Sequence, residues 1–309
     1  LFRSCVNDAE EIKNLLETNG DGSPNFEVKF APNIQTKDEL LDLLNALFCE
    51  GDSDISLFYF SGHGTDEVTG KIVTPDFKGR DMGVSMSDIL ALLKQSKSKN
   101  KVVILDCCFS GKFGELGVIS SNETVLGEGV TIMTASSRDQ YAVEDGITGH
   151  GVFTELLIQG LLGGAADVGG NITPASLYSF VDQSLGAWEQ RPLFKTNISR
   201  FLPIRKIKPK VPIEVLRKLS DYFQNPDSEY SLDPSFEFTN NPEYEIEIKE
   251  PYARDINVKK FKELQLYESV GLIEPVDEDH MYFAAMNSKS CRLTPLGLHY
   301  WKLSKDKRF

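Results

Sequence analysis

Two short segments carry the side chains best suited to nucleophilic chemistry, Ser61-Gly62-His63-Gly64 and Asp106-Cys107-Cys108-Phe109-Ser110-Gly111. A free thiol has a reference pKa near ~8.5 and is mostly protonated at neutral pH, so a catalytic cysteine needs a neighbouring base or an electropositive site. His63 can supply the base. Gly62 and Gly64 flank it without side chains, which lets a substrate backbone approach closely. The N–H of Gly64, with the N–H of the cysteine itself, can form an oxyanion hole, where one donor is typically worth about 3 kcal/mol of transition-state stabilisation. The chemistry implied is acyl transfer, and Cys107 and Cys108 compete for the nucleophile's place.

Each segment follows an apolar run that reads as a buried parallel strand, residues 55–60 before His63 and 102–105 before the cysteines. The histidine and the cysteine are therefore expected side by side at one sheet edge. From Leu1 to about Arg205, helix-like and strand-like segments alternate as in a doubly wound α/β sheet. Ile12, Leu15 and Leu16 mark a helix over 9–19, and Gly20-Asp21-Gly22-Ser23-Pro24 breaks it before a strand at 26–30. Thr36 caps a second helix over 36–48, with Glu39 as its capping-box partner and Leu40, Leu43, Leu44 and Leu47 inside. A short capped helix is predicted at 85–94, a buried strand at 130–135 and a helix at 153–162.

Around 204–212 the lysines Lys206, Lys208 and Lys210 interleave with Pro209 and Pro212, and no apolar periodicity survives. The reading is a first domain over 1–205, a linker over 206–212 and a second domain over 213–309. In the latter, 214–223 is helical and 225–251 is acidic and proline-punctuated. A helix over 258–270 ends at Gly271, 281–286 reads as a strand, Asn287-Ser288 turns, and Cys291-Arg292-Leu293 returns. Thr294 and Pro295 then open a last helix through Trp301. Helix, hairpin and helix in this order resemble a winged-helix module.

The chain has 309 residues, 40% of them hydrophobic, enough for two domains with sizeable cores. A formal net charge of -13 argues against a general nucleic-acid binder and against binding to anionic membranes. The five cysteines, Cys5, Cys49, Cys107, Cys108 and Cys291, are odd in number and lack metal-ligand spacing, which fits a reducing cytosol. No apolar stretch approaches the roughly 20 residues needed to span a bilayer, and no signal peptide pattern opens the sequence, so a soluble cytoplasmic protein is expected.

Tyr59-Phe60-Ser61-Gly62-His63-Gly64 and Asp106-Cys107-Cys108-Phe109-Ser110-Gly111 resemble the histidine and D-x-C-x-S-G cysteine motifs of the caspase-like cysteine peptidases, within them the metacaspase-like and prokaryotic branch. Cys5-Val6-Asn7-Asp8-Ala9 is similar to a third family segment, and Gly151-Val152-Phe153-Thr154 to a fourth. The resemblance covers roughly the first two thirds of the chain. It implies an α/β caspase-like sandwich of helices around a mostly parallel sheet, here with a small α+β winged-helix-like domain appended. It implies Cys108, third in its motif, as nucleophile, with His63 protonating the leaving amine and the N–H groups of Gly64 and Cys108 holding the oxyanion. Cys107 is then a small residue directed to the opposite face of the strand end.

Caspases proper place a Gln before the nucleophile and cleave after aspartate, whereas this chain has Asp106. In metacaspase-like enzymes that acidic residue and the one in the N-D-A segment line the first pocket, which implies Asp106 and Asp8, with Ser61 and Cys5 nearby. A carboxylate pair favours Arg, then Lys, at P1. The family's first apolar strand has no counterpart before Leu1, so a truncated or processed chain is expected. Between Gly111 and Gly129 only Lys112 offers a basic cleavage site, so two-chain maturation is not expected. Calcium dependence occurs among such relatives, but Asp66, Glu67, Asp76 and Asp81 are scattered and no metal or other cofactor is expected. Prokaryotic relatives are often tied to defence or cell-death circuits.

Plainer roles compete for several residues. Asp8 could cap the helix after it, and Asp106 could serve a backbone hydrogen bond. His150, in a glycine-rich loop near Glu144 and Asp145, reads as a solvated histidine, and His280 and His299 as structural. Lys302, Lys305, Lys307 and Arg308 read as a solvated terminus rather than a DNA contact, so a regulatory or partner-docking role is expected for the second domain. The leading function is an endopeptidase acting on protein substrates after basic residues, controlled by that domain or by a partner. The alternatives are a catalytically idle caspase-like scaffold or winged-helix DNA-binding regulator, and a cysteine hydrolase acting on another acyl bond.

Overall fold

The computed structural model describes residues 3–65, 70–78, 81–107, 126–135, 150–185, 192–244 and 248–309. The chain divides into two compact units, Leu1–Lys208 and Pro209–Phe309.

The first unit begins with α1 (Arg3–Glu17), which buries Ile12, Leu15 and Leu16 on one stripe. This helix starts well ahead of the span expected from its apolar spacing, so Asp8 lies inside it and does not cap it. Residues 26–30, expected as a strand, form no ladder among the described residues. Phe26 N–H instead donates to Leu16 O, and Phe26 and Val28 pack against the core. Helix α2 (Lys37–Asn45) continues into a π-helical turn, Ala46–Glu50. Thr36 Oγ1 accepts from the Glu39 N–H at 3.1 Å, while the Glu39 carboxylate reaches one residue beyond the capping-box position to the Gln35 N–H at 2.8 Å.

There follow β1 (Ile55–Gly62), β2 (Gly64–Thr65), β3 (Lys71–Lys78), β4 (Asp81–Ser85), α3 (Met86–Gln95), β5 (Asn100–Cys107), β6 (Val130–Thr134), α4 (Val152–Gln159), β7 (Asn171–Ile172), α5 (Pro174–Ser184), β8 (Leu193–Asn197) and β9 (Arg205–Lys206). The main sheet has the order β1-β5-β6-β8. Its first three strands are parallel and β8 closes the edge antiparallel. A second, antiparallel sheet has the order β2-β3-β4.

Alternation along the strands divides the apolar residues between two cores. Val102 and Ile104 of β5, with Leu57 and Tyr59 of β1, face α1, α4 and α5. Val103, Leu105 and Cys107, with Phe58 and Phe60, face α2 and α3. Helices on both faces of a mostly parallel sheet give the α/β sandwich that the resemblance implies. Within the span expected as a linker, Lys206 pairs with Asn171 and Ile207 packs against the first of these cores.

The second unit holds α6 (Ile213–Leu216), α7 (Leu219–Tyr222), β10 (Glu229–Ser231), α8 (Asp255–Ser269), β11 (Ile273–Val276), α9 (Met281–Met286), β12 (Ser290–Leu293) and α10 (Pro295–Lys305). Its antiparallel sheet has the order β10-β12-β11. Residues 281–286 are a helix and not the expected strand. Met281, Ala284 and Ala285 are buried at helical spacing, and methionine and alanine favour helix where a short apolar run leaves the period undecided. The strand paired with β12 is β11 instead. Tyr267 donates its hydroxyl to Val215 O, and Trp301 Nε1 donates to Phe223 O at 2.6 Å, so both large amphipathic side chains are buried with their polar ends satisfied. Among the described residues, no helix is long and apolar enough to cross a membrane.

Leu157 of α4 is fully buried in the core under the sheet. Leu157→Ala is expected to cost the first unit about 2–5 kcal/mol, read as a lower denaturation midpoint in guanidinium titrations of the full chain. An unchanged midpoint would contradict this packing.

Candidate functional site

The parallel pairing of β1 with β5 sets the site. Its register places Ser61 opposite Asp106 and Gly62 opposite Cys107, and in sequence His63 and Cys108 directly follow the two strands. His63 fills the one-residue break between β1 and β2 and is exposed. Its carbonyl accepts the Val73 N–H at 3.0 Å, which fixes its backbone to β3. That bond makes the adjacent Gly64–Ile72 pair one of the non-hydrogen-bonded kind, so the Gly64 N–H points away from β3. Cys108 lies outside the described residues, as do Ser110, Gly111, Lys112, Asp66, Glu67, Glu144 and Asp145. Cys107 is buried in the apolar core on the α2 and α3 side.

On the other face, the polar ends of four elements meet. Asp106 continues the face of Val102 and Ile104, and only 5% of it is exposed. Its Oδ2 accepts the Thr154 hydroxyl at 2.5 Å. Since that hydroxyl proton is committed, Thr154 Oγ1 must accept from the Tyr59 hydroxyl, 2.6 Å away. The Thr154 N–H, in the first turn of α4, also donates to Asp106. Gly151 is the N-cap of α4 and brings no side-chain cap. A Cβ there would lie 2.9 Å from Asp106 Oδ2, so a larger residue would collide with the carboxylate that serves this helix end.

Asp8 arrives from the middle of α1 and is 2% exposed. Its Oδ2 accepts from Ser61 Oγ at 2.9 Å, its Oδ1 lies 2.7 Å from His150 Nδ1, and the Gly151 N–H donates to it as well. Cys5 sits half-buried in α1, three residues before Asp8. Burial pushes the Asp8 carboxyl up from its ordinary value, against the hydrogen bonds of His150, Ser61 and Gly151. Burial also raises Asp106, from 3.8 to about 6; the bonds from Thr154 oppose the shift, and the Asp8 charge adds to it. The Tyr59 phenol is pushed well up, first by burial and then by the two carboxylates.

The structure thus joins Asp8, Asp106 and Ser61, and adds Tyr59, Thr154 and Gly151, quoted above only within family motifs, and His150. His150 is not a solvated loop histidine, since its side chain is 19% exposed and paired with Asp8. Two signals pointed to this group. Tyr59 shares the face of Ser61 by strand alternation, and a helix starting on Gly151 without its own cap calls for an acceptor from elsewhere. Asp76 accepts the Lys37 N–H at 3.2 Å.

A carboxyl whose folded pKa exceeds its unfolded value binds its proton more tightly when folded, so stability is highest below the unfolded pKa and falls as pH rises through the folded one. For Asp106 the loss runs from pH 3.8 to about 6 and amounts to about 3 kcal/mol. Asp106→Asn is expected to remove this component of the slope and to be more stable than the parent chain at neutral pH. Thermal melts across this range read the difference, and parallel curves for the two proteins would contradict the assignment.

The sequence model of a family described as caspase domain matches residues 2–202. Among solved structures, the chain is similar to caspase-1 from Spodoptera frugiperda, at 17% identity over 67% of this chain and 83% of that one, with a TM-score of 0.46. It is also similar to drICE, at 16% identity over 64% of this chain and 85% of that one, with a TM-score of 0.43. No curated protein matches the sequence. The family match spans well over half of the chain and includes both the histidine and the cysteine segments, so the chain belongs to the caspase domain family, a family of cysteine peptidases.

Proposed function

We propose that the protein is a cysteine endopeptidase of the metacaspase-like branch that cleaves protein substrates after Arg or Lys. Cys108 is the nucleophile and His63 its base. His63 takes the thiol proton as Cys108 Sγ attacks the scissile carbonyl carbon, and the N–H groups of Gly64 and Cys108 receive the oxyanion. Collapse of the tetrahedral adduct breaks the C–N bond, and the proton passes from His63 to the leaving amine. Water, deprotonated by His63, then hydrolyses the thioester and restores the thiol. The fixed His63 backbone and the orientation of the Gly64 N–H support these roles.

The observation that carries the specificity is the convergence of Asp8, Asp106 and Ser61 at the end of β5, directly before Cys108 in the chain. Cys5, on the same helix as Asp8, completes the proposed P1 pocket. A guanidinium can bond two carboxylates at once, and its charge would draw both toward the ionised form, offsetting the cost of their burial. No metal or other cofactor takes part in the proposed reaction. The free thiols Cys5, Cys49, Cys107 and Cys291 suit a reducing cytosol.

We assign the second unit a regulatory or partner-docking role as a winged-helix-like module, in which α8, the β11–β12 pair and α10 keep the helix, hairpin, helix order and α9 stands in the connection. Neither DNA nor a membrane is part of this reading; the partner is a protein, in a circuit of the defence or cell-death kind.

Cys108→Ala should abolish peptide hydrolysis while Cys107→Ala retains it, and the reverse would overturn the nucleophile assignment. In a positional-scanning peptide library the protein should prefer Arg, then Lys, at P1. Asp106→Asn should lower kcat/KM for Arg substrates at least about a hundredfold, as expected for removing one partner of a buried charge pair. Efficient cleavage after Asp with none after Arg would exclude this pocket. For the second unit, a chain ending at Lys208 should differ in peptidase activity from the full chain, and equal activities would remove its regulatory role.

A further inference from the structure

We propose that His150 is a positioning residue of the basic-side-chain pocket: through Nδ1, 2.7 Å from Asp8 Oδ1, it fixes the buried carboxylate that receives the substrate's cation. The inference rests on the proposed function, because it gives His150 a task in that same pocket. Asp8 is buried, and Asp106 lies near enough to repel its charge. Two such carboxylates do not both ionise cheaply, and their donors decide which one carries the charge. Among the described residues, the titratable and hydroxyl groups that interact with Asp8 are His150 ahead of α4, Ser61 and the Tyr59 phenol on β1, and Asp106 on β5, with the Cys5 thiol one turn earlier on α1. Of these, only His150 can offer Asp8 a positive charge.

The geometry suits holding rather than proton transfer. His150 immediately precedes Gly151, whose N–H grips the same carboxylate and whose carbonyl accepts the Glu155 N–H at 2.8 Å. The imidazole and the start of α4 therefore clasp Asp8 as one unit, and the other Asp8 oxygen is turned to Ser61. The imidazole bond and charge draw the Asp8 carboxyl down against the effect of burial. Without His150, Asp8 would take up a proton at higher pH, and the pocket would lose its charge where the parent chain keeps it.

The test compares the full-length parent, His150→Ala, His150→Gln and Asp8→Asn on a peptide with Arg at P1, from about pH 5 to 8. His150→Ala should raise KM about tenfold with little change in kcat, as for the loss of a hydrogen bond to a charged group. Its acid-side rise in KM should move to higher pH, and His150→Gln, which keeps a neutral donor, should recover most of the loss. A joint fall of kcat with unchanged KM, an unmoved pH profile, or a glutamine variant no better than alanine would overturn the role of His150.

If Asp8→Asn raises KM but His150→Ala does not, the pocket stands and only this inference fails. If the parent chain cleaves peptides but none after Arg or Lys, both fail. A readout without turnover uses histidine-labelled full-length protein. N-acetylarginine amide should shift the His150 ring resonance, identified by its loss in His150→Gln, and N-acetylalanine amide should not. Absence of the arginine-specific shift would also overturn the inference.

Discussion

A helix that begins on glycine has N–H groups to satisfy and no side chain of its own to satisfy them, and here that need is met by carboxylates from two other elements. Asp106 of β5 accepts from Thr154, and Asp8 of α1 accepts from Gly151. The positive end of the α4 dipole favours both charges. One small region thereby ties α1, β5 and α4 together at the carboxyl end of the sheet. The arrangement also explains why such buried carboxylates persist: each is costly to ionise alone, and each is held by donors that would otherwise be unpaired.

The sheet supplies the other half of the site. Ligands of open α/β sheets bind outside the carboxyl ends of the strands, and that is where the β1–β5 ladder ends, at the Gly62–Cys107 pair. Side chains before that point alternate between two cores, so the apolar face of β5 turns polar at Asp106 while Cys107 remains among Val103, Leu105 and Phe60. The small β2-β3-β4 sheet anchors the backbone of His63. The strand ends position Asp106 and the backbone of His63, and the carboxylate pair has no direct part in the proposed acyl-transfer step.

How much of this could be read from the residues depended on whether the determining contact was local. The strands β1, β5 and β6 were legible because buried parallel strands are continuous apolar runs, and Thr36 and Thr294 announced their helices through cap chemistry that acts over three residues. The place of Asp8 in a helix interior was not legible, because the first turns of α1 carry little apolar spacing. The six residues of α9 were misread because Met-Tyr-Phe-Ala-Ala-Met has no clear period, and packing of Met281, Ala284 and Ala285 decides it. His150 was not legible at all, since its partner Asp8 is 142 positions away in the chain.

While Asp106 is ionised, the hydroxyl chain from Tyr59 through Thr154 to Asp106 has one direction, because each hydroxyl holds a single proton and the last step must point at the carboxylate. Oδ2 of the ionised Asp106 is thus an acceptor. Above pH about 6 Asp106 is an all-acceptor group suited to a cation; below it the same position carries an O–H and becomes a donor. Acidification therefore does more than weaken this end of the sheet as an anion: it inverts its hydrogen-bonding polarity, toward neutral ligands that bring a carbonyl instead of an N–H.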